Sequence, residues 1–227
     1  MAQRRLPGRP PRAESRDRIN VILRVGRHHF GHRGYDGATM SAIAADAGVT
    51  SAALYHYADS KAKLYELVFR QTTQELWQVV RSRLAEAAPG PTLTEQLGAL
   101  VAAIDRSGKD SDRGVLLMSA LNDLRVHPEL SHLLIELNTD RDEVLRQIAQ
   151  ACPSRSSPAG DEHFVRLLRV LFTGWSVESY TAPAERDALE DTVLLLAQAL
   201  DEKLGRRMPA VRGHATAGAR PSGTRSR

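Results

Sequence analysis

The stretch from Thr39 to Leu64 constrains the fold of this chain more than any other part of the sequence. It contains two short helical patterns joined by the tight turn Ala47-Gly48-Val49. Thr39 is a good N-cap for the first helix, because its hydroxyl can accept a backbone N–H that the helix leaves unpaired. Gly48 supplies the backbone freedom that a sharp turn between helices often needs. The pattern therefore predicts a helix-turn-helix.

The second helix of this motif is expected from Ser51 to Tyr57. It begins with small polar side chains and ends in aromatic ones. A helix whose first turn is small can enter the major groove of DNA, while hydroxyl groups near its end reach phosphate oxygens. The motif therefore predicts a DNA-reading element.

Apolar residues recur at helical spacing along the rest of the chain, and no segment shows convincing period-two alternation. A first helix is expected over Ser15–Gly31, followed by a turn over 34–37. A long helix of about 25 residues is expected over Ser60–Leu84, and Thr92-x-x-Glu95 has the pattern of a capping box. We predict an all-α fold of about nine helices, with an N-terminal helix-turn-helix domain of three helices and an all-helical C-terminal domain.

Net charge divides the chain into regions of opposite sign. The first 20 residues carry a formal charge of +4, residues 67–205 carry −7 and residues 206–227 carry +6. A polyanion is therefore attracted to the N-terminal part and repelled by the body. We expect a flexible basic arm over 1–14, a DNA-binding domain over 15–66, a helical body over 67–205 and a disordered arginine-rich tail over 206–227. For the tail, an aid to solubility is an equally good interpretation.

Several classes of protein are disfavoured by what the sequence lacks. No apolar run is long enough to span a bilayer, and the N-terminal arginines are not followed by the apolar core of a signal peptide. With its single cysteine, Cys152, the chain is expected in the reducing cytoplasm, associated with the nucleoid and not with a membrane. It has no glycine-rich phosphate loop, nucleophile elbow or HExxH pair, so we expect neither an enzyme nor a cofactor. An all-helical enzyme is a remote alternative.

Three motifs carry a resemblance to a known family: Phe30-x-x-x-Gly34-Tyr35, Thr39-x-x-x-Ile43-Ala44-x-x-Ala47-Gly48-Val49 and Leu54-Tyr55-x-Tyr57-x-x-x-Lys61-x-x-Leu64. They fall within residues 19–65 at the family's spacing, without a gap. The chain resembles the TetR family of bacterial transcriptional regulators. The resemblance implies a homodimer with an N-terminal DNA-binding domain and a helical regulatory domain. It also implies that the last two long helices pair with those of a second protomer in a four-helix bundle.

The resemblance assigns roles to residues of the motif. Thr39 and Lys61 match positions that contact phosphates, and Ala52 lies on the edge facing bases, where its methyl can contact a thymine methyl. Tyr55 and Tyr57 match aromatic positions that lie against the DNA backbone or pack beneath it, and core packing remains an alternative for each of them. A solvated side chain is the alternative for Lys61. The candidate DNA-contacting residues are Thr39, Thr50, Ser51, Ala52, Tyr55, His56, Tyr57 and Lys61.

The family's mechanism gives the functional hypothesis. It is a repressor that binds a near-palindromic double-stranded operator as a dimer and is released by a small hydrophobic ligand, with the helix over Ser60–Leu84 as the coupling element. The alternative is a DNA-binding regulator or architectural protein with no small-molecule ligand. Candidate ligand-binding residues, which ordinary helix packing explains equally well, are Trp77, Met118, Leu121, Asn122, Leu134, Asn138, Phe172 and Trp175. Candidate dimer-interface residues on the last two helices are Phe164, Leu168, Leu171, Leu189, Val193, Leu196 and Leu200.

Two positions depart from the family pattern. Ala58 stands where phenylalanine is usual, which removes one anchor between the third and fourth helices, and His29 replaces an apolar residue. His29 also belongs to a histidine cluster in which His28 and His32, four residues apart, share a helix face that can bind zinc or nickel. No cysteine or carboxylate nearby in the sequence completes a ligand set. We therefore expect solvated or DNA-proximal histidines and no metal site.

Overall fold

The computed structural model describes residues 12–86, 92–108, 111–151 and 158–205. These residues form α-helices and two short 3₁₀ turns, with no strand among them, so the all-α prediction is confirmed. The nine helices of the described ranges are α1 (Arg12–Gly37), α2 (Met40–Asp46), α3 (Ser51–Tyr57), α4 (Lys61–Ala85), α5 (Leu93–Gly108), α6 (Ser111–Val126), α7 (Ser131–Ala151), α8 (Pro158–Thr181) and α9 (Arg186–Gly205). None of these helices is both long and apolar enough to cross a membrane.

The first helix differs from its expected bounds at both ends. It begins at Arg12, so the end of the expected arm is helical, and it runs on to Gly37 with a break at Gly34 (φ 68°, ψ 177°). That backbone conformation favours glycine, and it places the break where the turn over 34–37 was expected. The expected tail over 206–227, Cys152 and the rest of the arm lie outside the described residues.

Side-chain caps define the helix-turn-helix as the sequence indicated. The Thr39 hydroxyl accepts the backbone N–H of Ala42 at the start of α2, and Gly48 takes φ 67° in the turn before α3. Ser60 caps α4 in the same way. Because these caps use side chains within the motif, the relative placement of α2 and α3 is specified locally.

Two hydrophobic cores lie one after the other along α4. The first is formed by α1, α2, α3 and the start of α4, closed on its far side by α6. The second is formed by the rest of α4 with α5, α7, α8 and α9. Tyr65 and Phe69 belong to the first core, whereas Leu76, Trp77 and Val80 belong to the second. One helix therefore contributes to both cores and connects the N-terminal domain to the body.

The N-terminus of α5 is anchored twice. The expected capping box forms, with the Thr92 N–H donating to Glu95 Oε2 at 2.8 Å and the Glu95 N–H donating to Thr92 Oγ1 at 3.2 Å. In addition, Asp201 of α9 accepts the backbone N–H groups of Leu93 and Thr94, each at 2.9 Å. These bonds hold the last helix against the body.

Candidate DNA-binding surface and ligand cavity

An open groove runs between α2, α3 and the start of α4. Four of the candidate DNA-contacting residues line it: Thr39, Ser51, Tyr55 and Lys61. Three of them are hydroxyl groups and the fourth is an ammonium, so the groove offers several donors to an oxyanion. The structure thus brings together residues that are up to 22 positions apart in the sequence.

The two capping threonines use their hydroxyl oxygens as acceptors for the caps, and Thr39 Oγ1 also lies 3.3 Å from Ser41 Oγ, where either hydroxyl can be the donor. Thr39 Oγ1 accepts from the Ala42 N–H at 3.2 Å, and Thr50 Oγ1 accepts from the Ala53 N–H at 3.1 Å. A hydroxyl has one O–H donor besides its two acceptor positions. Capping therefore fixes each oxygen without using its O–H, which suits a phosphate contact.

The recognition helix α3 presents a mixed surface. Thr50, Ser51, Ala52 and His56 are exposed, and the Tyr55 side chain is 50% exposed beside the groove. Tyr57, in contrast, is half-buried and packs against the first core. Of the two aromatic positions, Tyr55 is accessible to DNA and Tyr57 supports the helix from beneath.

Lys61 is held in place by two weak contacts. Its Nζ lies 4.5 Å from the centroid of the Tyr35 ring and donates to the backbone oxygen of Asp36 at 3.4 Å. A cation over an aromatic face is attracted by about 0.5–1 kcal/mol at an exposed site. These contacts orient the ammonium at the edge of the groove and do not neutralise it with a carboxylate.

Both positions that depart from the family pattern, His29 and Ala58, are accommodated by contacts with neighbouring residues. His29 is buried, and its Nε2 lies 2.7 Å from Asp46 Oδ2, so a polar contact joins α1 to α2 where an apolar residue is usual. Ala58 is buried in the first core, where it still makes an apolar contact with a smaller side chain. The domain therefore keeps its packing at both positions.

A cavity of about 190 Å³ lies in the body beside the second core, bounded by α4 to α9. Five candidate ligand-binding residues line it: Trp77, Met118, Leu121, Phe172 and Trp175. The other three do not. Asn122 is exposed, Leu134 packs against the first core, and Asn138 is half-buried away from the cavity. These three residues lie on other sides of α6 and α7. Helical periodicity in the sequence did not show which side of each helix faces the cavity.

The wall of the cavity is mostly apolar, with a few polar groups, of which the sequence singled out Trp77 and Trp175 but neither Ser179 nor Arg141. The buried Trp77 Nε1, Trp175 Nε1 and Ser179 Oγ have no hydrogen-bond partner among the described residues. Arg141 also lines the cavity and is paired with Asp142, at 3.0 Å from Nη2. Because the two indole nitrogens and Ser179 Oγ have almost no accessible surface, the cavity presents a mainly apolar wall to a guest.

Helix α6 faces the cavity on one side and the N-terminal domain on the other. Its cavity side carries Gly114, Leu117, Met118 and Leu121, and its other side places Leu116, Ala120 and Leu124 in the first core. Apolar residues on both sides obscure the helical stripe in the sequence. A displacement of α6 at the cavity would therefore change its packing against α1.

Asp123 on α6 makes contacts between helices that the sequence analysis did not predict. Its Oδ2 accepts the backbone N–H of Tyr35 at 3.0 Å, the Tyr65 hydroxyl at 3.3 Å and the Ser119 hydroxyl at 3.3 Å. The Tyr35 N–H is available because the break at Gly34 removes it from the helical ladder. Burial, followed by the charge of Asp123 and its hydrogen bond, raises the pKa of Tyr65 far above its ordinary value, so this hydroxyl remains a donor. Asp123 thus ties α6 to both α1 and α4.

Most of the seven candidate dimer-interface residues on the last two helices are buried or half-buried within the protomer. Phe164 and Leu168 are buried inside the protomer's second core, and Val193 and Leu200 pack against it. Leu171 and Leu189 are half-buried, and Leu196 alone of the seven is exposed. Both helices are apolar on more than one side, so spacing alone did not identify the outer face. The large apolar side chains left exposed on α8 and α9 are Leu167, Val170, Tyr180, Leu195 and Leu196.

The histidine prediction is also corrected in one respect. A carboxylate does complete the set with His28 and His32, because α6 brings Asp112 to within 2.8 Å of His32 Nε2. Asp112 is 80 residues from His32 along the chain, so no local spacing indicates it.

Comparison with known proteins supports a regulator. Residues 22–68 match the family described as "Bacterial regulatory proteins, tetR family". A putative transcriptional regulator from Pseudomonas aeruginosa PAO1 has a similar solved structure, with a TM-score of 0.69, 19% identity, and coverage of 86% of this chain and 96% of that one. A comparison with curated proteins finds no significant match.

Two further solved structures have the same fold. Salmonella enterica GusR aligns with a TM-score of 0.65 at 20% identity, covering 82% of this chain and 96% of that one. The transcriptional regulator FadR from Bacillus subtilis, solved in complex with stearoyl-CoA, aligns with a TM-score of 0.62 at 20% identity, covering 79% and 97%.

Proposed function

We propose that this chain is a repressor of the TetR family of bacterial transcriptional regulators, a class of DNA-binding proteins and not of enzymes, because residues 22–68 match the model of that family. In this proposal it binds a near-palindromic operator as a homodimer and is released by a small hydrophobic ligand. The observation that carries the DNA-binding part is the groove of Thr39, Ser51, Tyr55 and Lys61 beside the exposed face of α3. Its hydroxyls and ammonium are the donors that position a protein on phosphates, while exposed residues of α3 are free to meet base edges.

The exposed apolar residues of α8 and α9 support a second copy of the chain as partner. Leu195 is 65% exposed and Val170 is 69% exposed, although both are strongly apolar. Pairing these helices with those of a second copy removes this surface from water at about 25 cal/mol per Å². A two-fold dimer then places two α3 helices in successive major grooves, about 34–36 Å apart, which explains a near-palindromic operator.

The size of the cavity limits the ligand. At about 190 Å³ it is somewhat larger than a cavity of about 150 Å³ that binds benzene, and smaller than the roughly 300–1,000 Å³ usual for drug-sized ligands. The similar fold of FadR with stearoyl-CoA makes acyl compounds reasonable candidates. The dimensions and the apolar wall favour a monocyclic aromatic or short acyl compound.

In this proposal DNA is released through helix α6, which contacts the cavity on one side and the N-terminal domain on the other. A ligand shifts the arrangement of the domains only if it binds one arrangement more tightly than the other. Binding beside Met118 and Leu121 can displace α6, and Asp123 passes that displacement to α1 and α4. The coupling element therefore includes α6 as well as the long helix α4.

The DNA-binding proposal is tested by replacing Lys61 with alanine. Gel shifts on the DNA upstream of the protein's own gene should show a specific complex that K61A weakens. The slope of log affinity against log salt should fall by about one, because one phosphate contact is lost. Lys63 is the matched control, since it lies on the same helix and pairs with Glu66 at 3.2 Å, away from the groove. An unchanged K61A slope, or an equal loss in K63A, would contradict the assignment.

The dimer is tested by placing a charge on its expected surface. Leu195→Glu should convert a dimer into a monomer of 25.0 kDa in light scattering. Ile135→Glu is the control, because Ile135 is 67% exposed on α7 and lies outside the surface. A monomeric wild-type protein, or a dimer that both variants leave intact, would refute this interface.

The ligand is tested by thermal shift with monocyclic aromatic acids and with acyl-CoA compounds of increasing chain length. A compound that binds the cavity should raise the melting temperature and release operator DNA at similar concentrations. If no compound does either, the regulator without a small-molecule ligand becomes the better description.

A further inference from the structure

Three side chains that can bind a metal ion meet where α1 packs against the start of α6, away from the groove and the cavity. His28 and His32 are four residues apart on α1, so their rings lie on one face of the helix, with centroids 4.5 Å apart. Asp112, in the first turn of α6, contacts both rings. Each ligand thus comes with its orientation set by a helix.

The distances among these groups are close to those of a metal site. His28 Nδ1 lies 3.2 Å from each carboxylate oxygen of Asp112, and His32 Nε2 lies 2.8 Å from its Oδ1. One ligand atom from each residue can be chosen so that all three lie within 4.8 Å of one another. In a tetrahedral site with bonds of about 2.0–2.1 Å, ligand atoms are about 3.3–3.4 Å apart. Because the observed separations span that value, small side-chain rotations would place all three around one ion.

The site is open to solvent. The side chains of His28, His32 and Asp112 are 56%, 44% and 28% exposed, so an ion can enter and a water molecule can take the fourth position. The site therefore offers two imidazole nitrogens and a carboxylate oxygen to an ion.

We propose that His28, His32 and Asp112 form a binding site for one borderline divalent transition-metal ion of the Zn²⁺ class. Imidazole nitrogen with a single carboxylate suits zinc, nickel or copper, whereas magnesium and calcium prefer sites built from oxygen alone. The bound ion fastens α1, which enters the DNA-binding domain, to α6, which lines the cavity. Metal binding thereby restrains the movement between the two domains.

The test measures metal binding without DNA, so its outcome is independent of the proposed repressor function. Untagged full-length protein, freed of metal with a chelator, is titrated with Zn²⁺ by calorimetry, and Co²⁺ serves as a spectroscopic probe. We expect one tightly bound equivalent per chain and visible Co²⁺ absorption from nitrogen and oxygen ligands. His32→Gln and Asp112→Asn should each weaken binding at least about tenfold.

His132→Gln is the matched control, because His132 is an exposed histidine on α7, away from α1. Its affinity for Zn²⁺ should equal that of the wild type. Circular dichroism of the metal-free variants checks that they fold, and His28→Gln replaces Asp112→Asn if the latter does not. The proposal is overturned if the wild type and the site variants bind Zn²⁺ equally, or if the wild type binds none. It is also overturned if His132→Gln loses the bound equivalent.

Discussion

The two hydrophobic cores of the protein differ in how completely they are filled. In the first, Phe30, Tyr35, Tyr65 and Phe69 contact one another with ring centroids 4.9–6.4 Å apart. The second borders a cavity of about 190 Å³. A filled core holds its surface residues in one geometry, which suits a surface that must match DNA. A core with a cavity can gain contacts from a guest, which suits the proposed ligand site.

The empty space beside the second core lowers the stability of the body. A closed, dry cavity costs about 24 cal/mol per Å³, and this cavity costs less than that rate because it is partly open to solvent. A ligand that fills the space recovers part of this free energy. In the proposed function the ligand therefore adds to the stability of the body, whereas the N-terminal domain depends on its own packing.

The largest expected effect is on the free energy of unfolding, when one aromatic residue from each core is replaced with alanine. Phe30→Ala should lower the free energy of unfolding by about 3–5 kcal/mol, because Phe30 is fully buried in the filled core. Phe172→Ala should cost about half as much or less, because this ring is half-buried and already borders the cavity. Urea unfolding of both variants measures the difference. Equal losses would mean that the second core is as tightly packed as the first.

Asp123→Ala should cost about 1–3 kcal/mol, because buried donors from Tyr35 and Tyr65 lose their acceptor. It should also uncouple the two cores, so that a ligand which still binds the body releases DNA less effectively. Ser119→Ala is the control, since it removes one hydroxyl and leaves the carboxylate in place. Unfolding curves and ligand-dependent gel shifts provide the measurements. Full ligand response in Asp123→Ala would show that α4 alone carries the coupling.

Gly114→Ala should raise the free energy of unfolding by about 1 kcal/mol, because alanine is the better helix former. An added Cβ would lie 4.0 Å from Tyr180 and project toward the cavity. Gly98→Ala on α5 is the control, where a Cβ would lie 3.6 Å from Leu194 outside the cavity. Both should gain stability, but Gly114→Ala alone should bind the ligand less tightly in calorimetry. Equal ligand affinities would place the ligand elsewhere.

The smallest expected effect concerns an exposed ion pair between α4 and α7. Arg70 donates to Glu136 through Nε at 2.9 Å and Nη2 at 2.7 Å. The hydrogen bond from Arg70, against a smaller opposing effect of burial, lowers the pKa of Glu136. A lowered folded-state pKa contributes stability above the ordinary carboxyl pKa, and that contribution is lost as the pH falls through the folded value.

Glu136→Gln should therefore cost about 0.2–1 kcal/mol at pH 7, since the glutamate side chain is 46% exposed. The difference from wild type should shrink toward zero in acid. Urea unfolding at pH 7 and below the carboxyl range measures both values. A loss that does not depend on pH would point to lost packing and not to charge.

The sequence indicated the N-terminal domain well because its determinants are local. The Thr39 cap, the Gly48 turn and the polar rim ending at Lys61 all fall within one short stretch. The relative placement of α2, α3 and the start of α4 depends on neighbours a few residues away. Helix count and the all-α class also followed, since helical periodicity is a property of each segment by itself.

The outer faces of the body helices could not be determined in the same way. Leu168 and Leu195 are both apolar residues on the last two helices, but one is buried in the protomer and the other is 65% exposed. Similarly, Met118 lines the cavity whereas Leu134 packs into the first core. Each of these helices has apolar residues on more than one side, so its orientation depends on which neighbours it meets.

The sequence by itself determined the helix-turn-helix, the all-helical class and the resemblance of residues 22–68 to the TetR family, because short-range caps, turns and spacing encode them. Only the tertiary structure decided that α6 joins the cavity to the DNA-binding domain through Asp123, and that Asp112 reaches His28 and His32. These contacts join residues about 60–90 positions apart. Their formation depends on how whole helices pack, which no local pattern in the chain records.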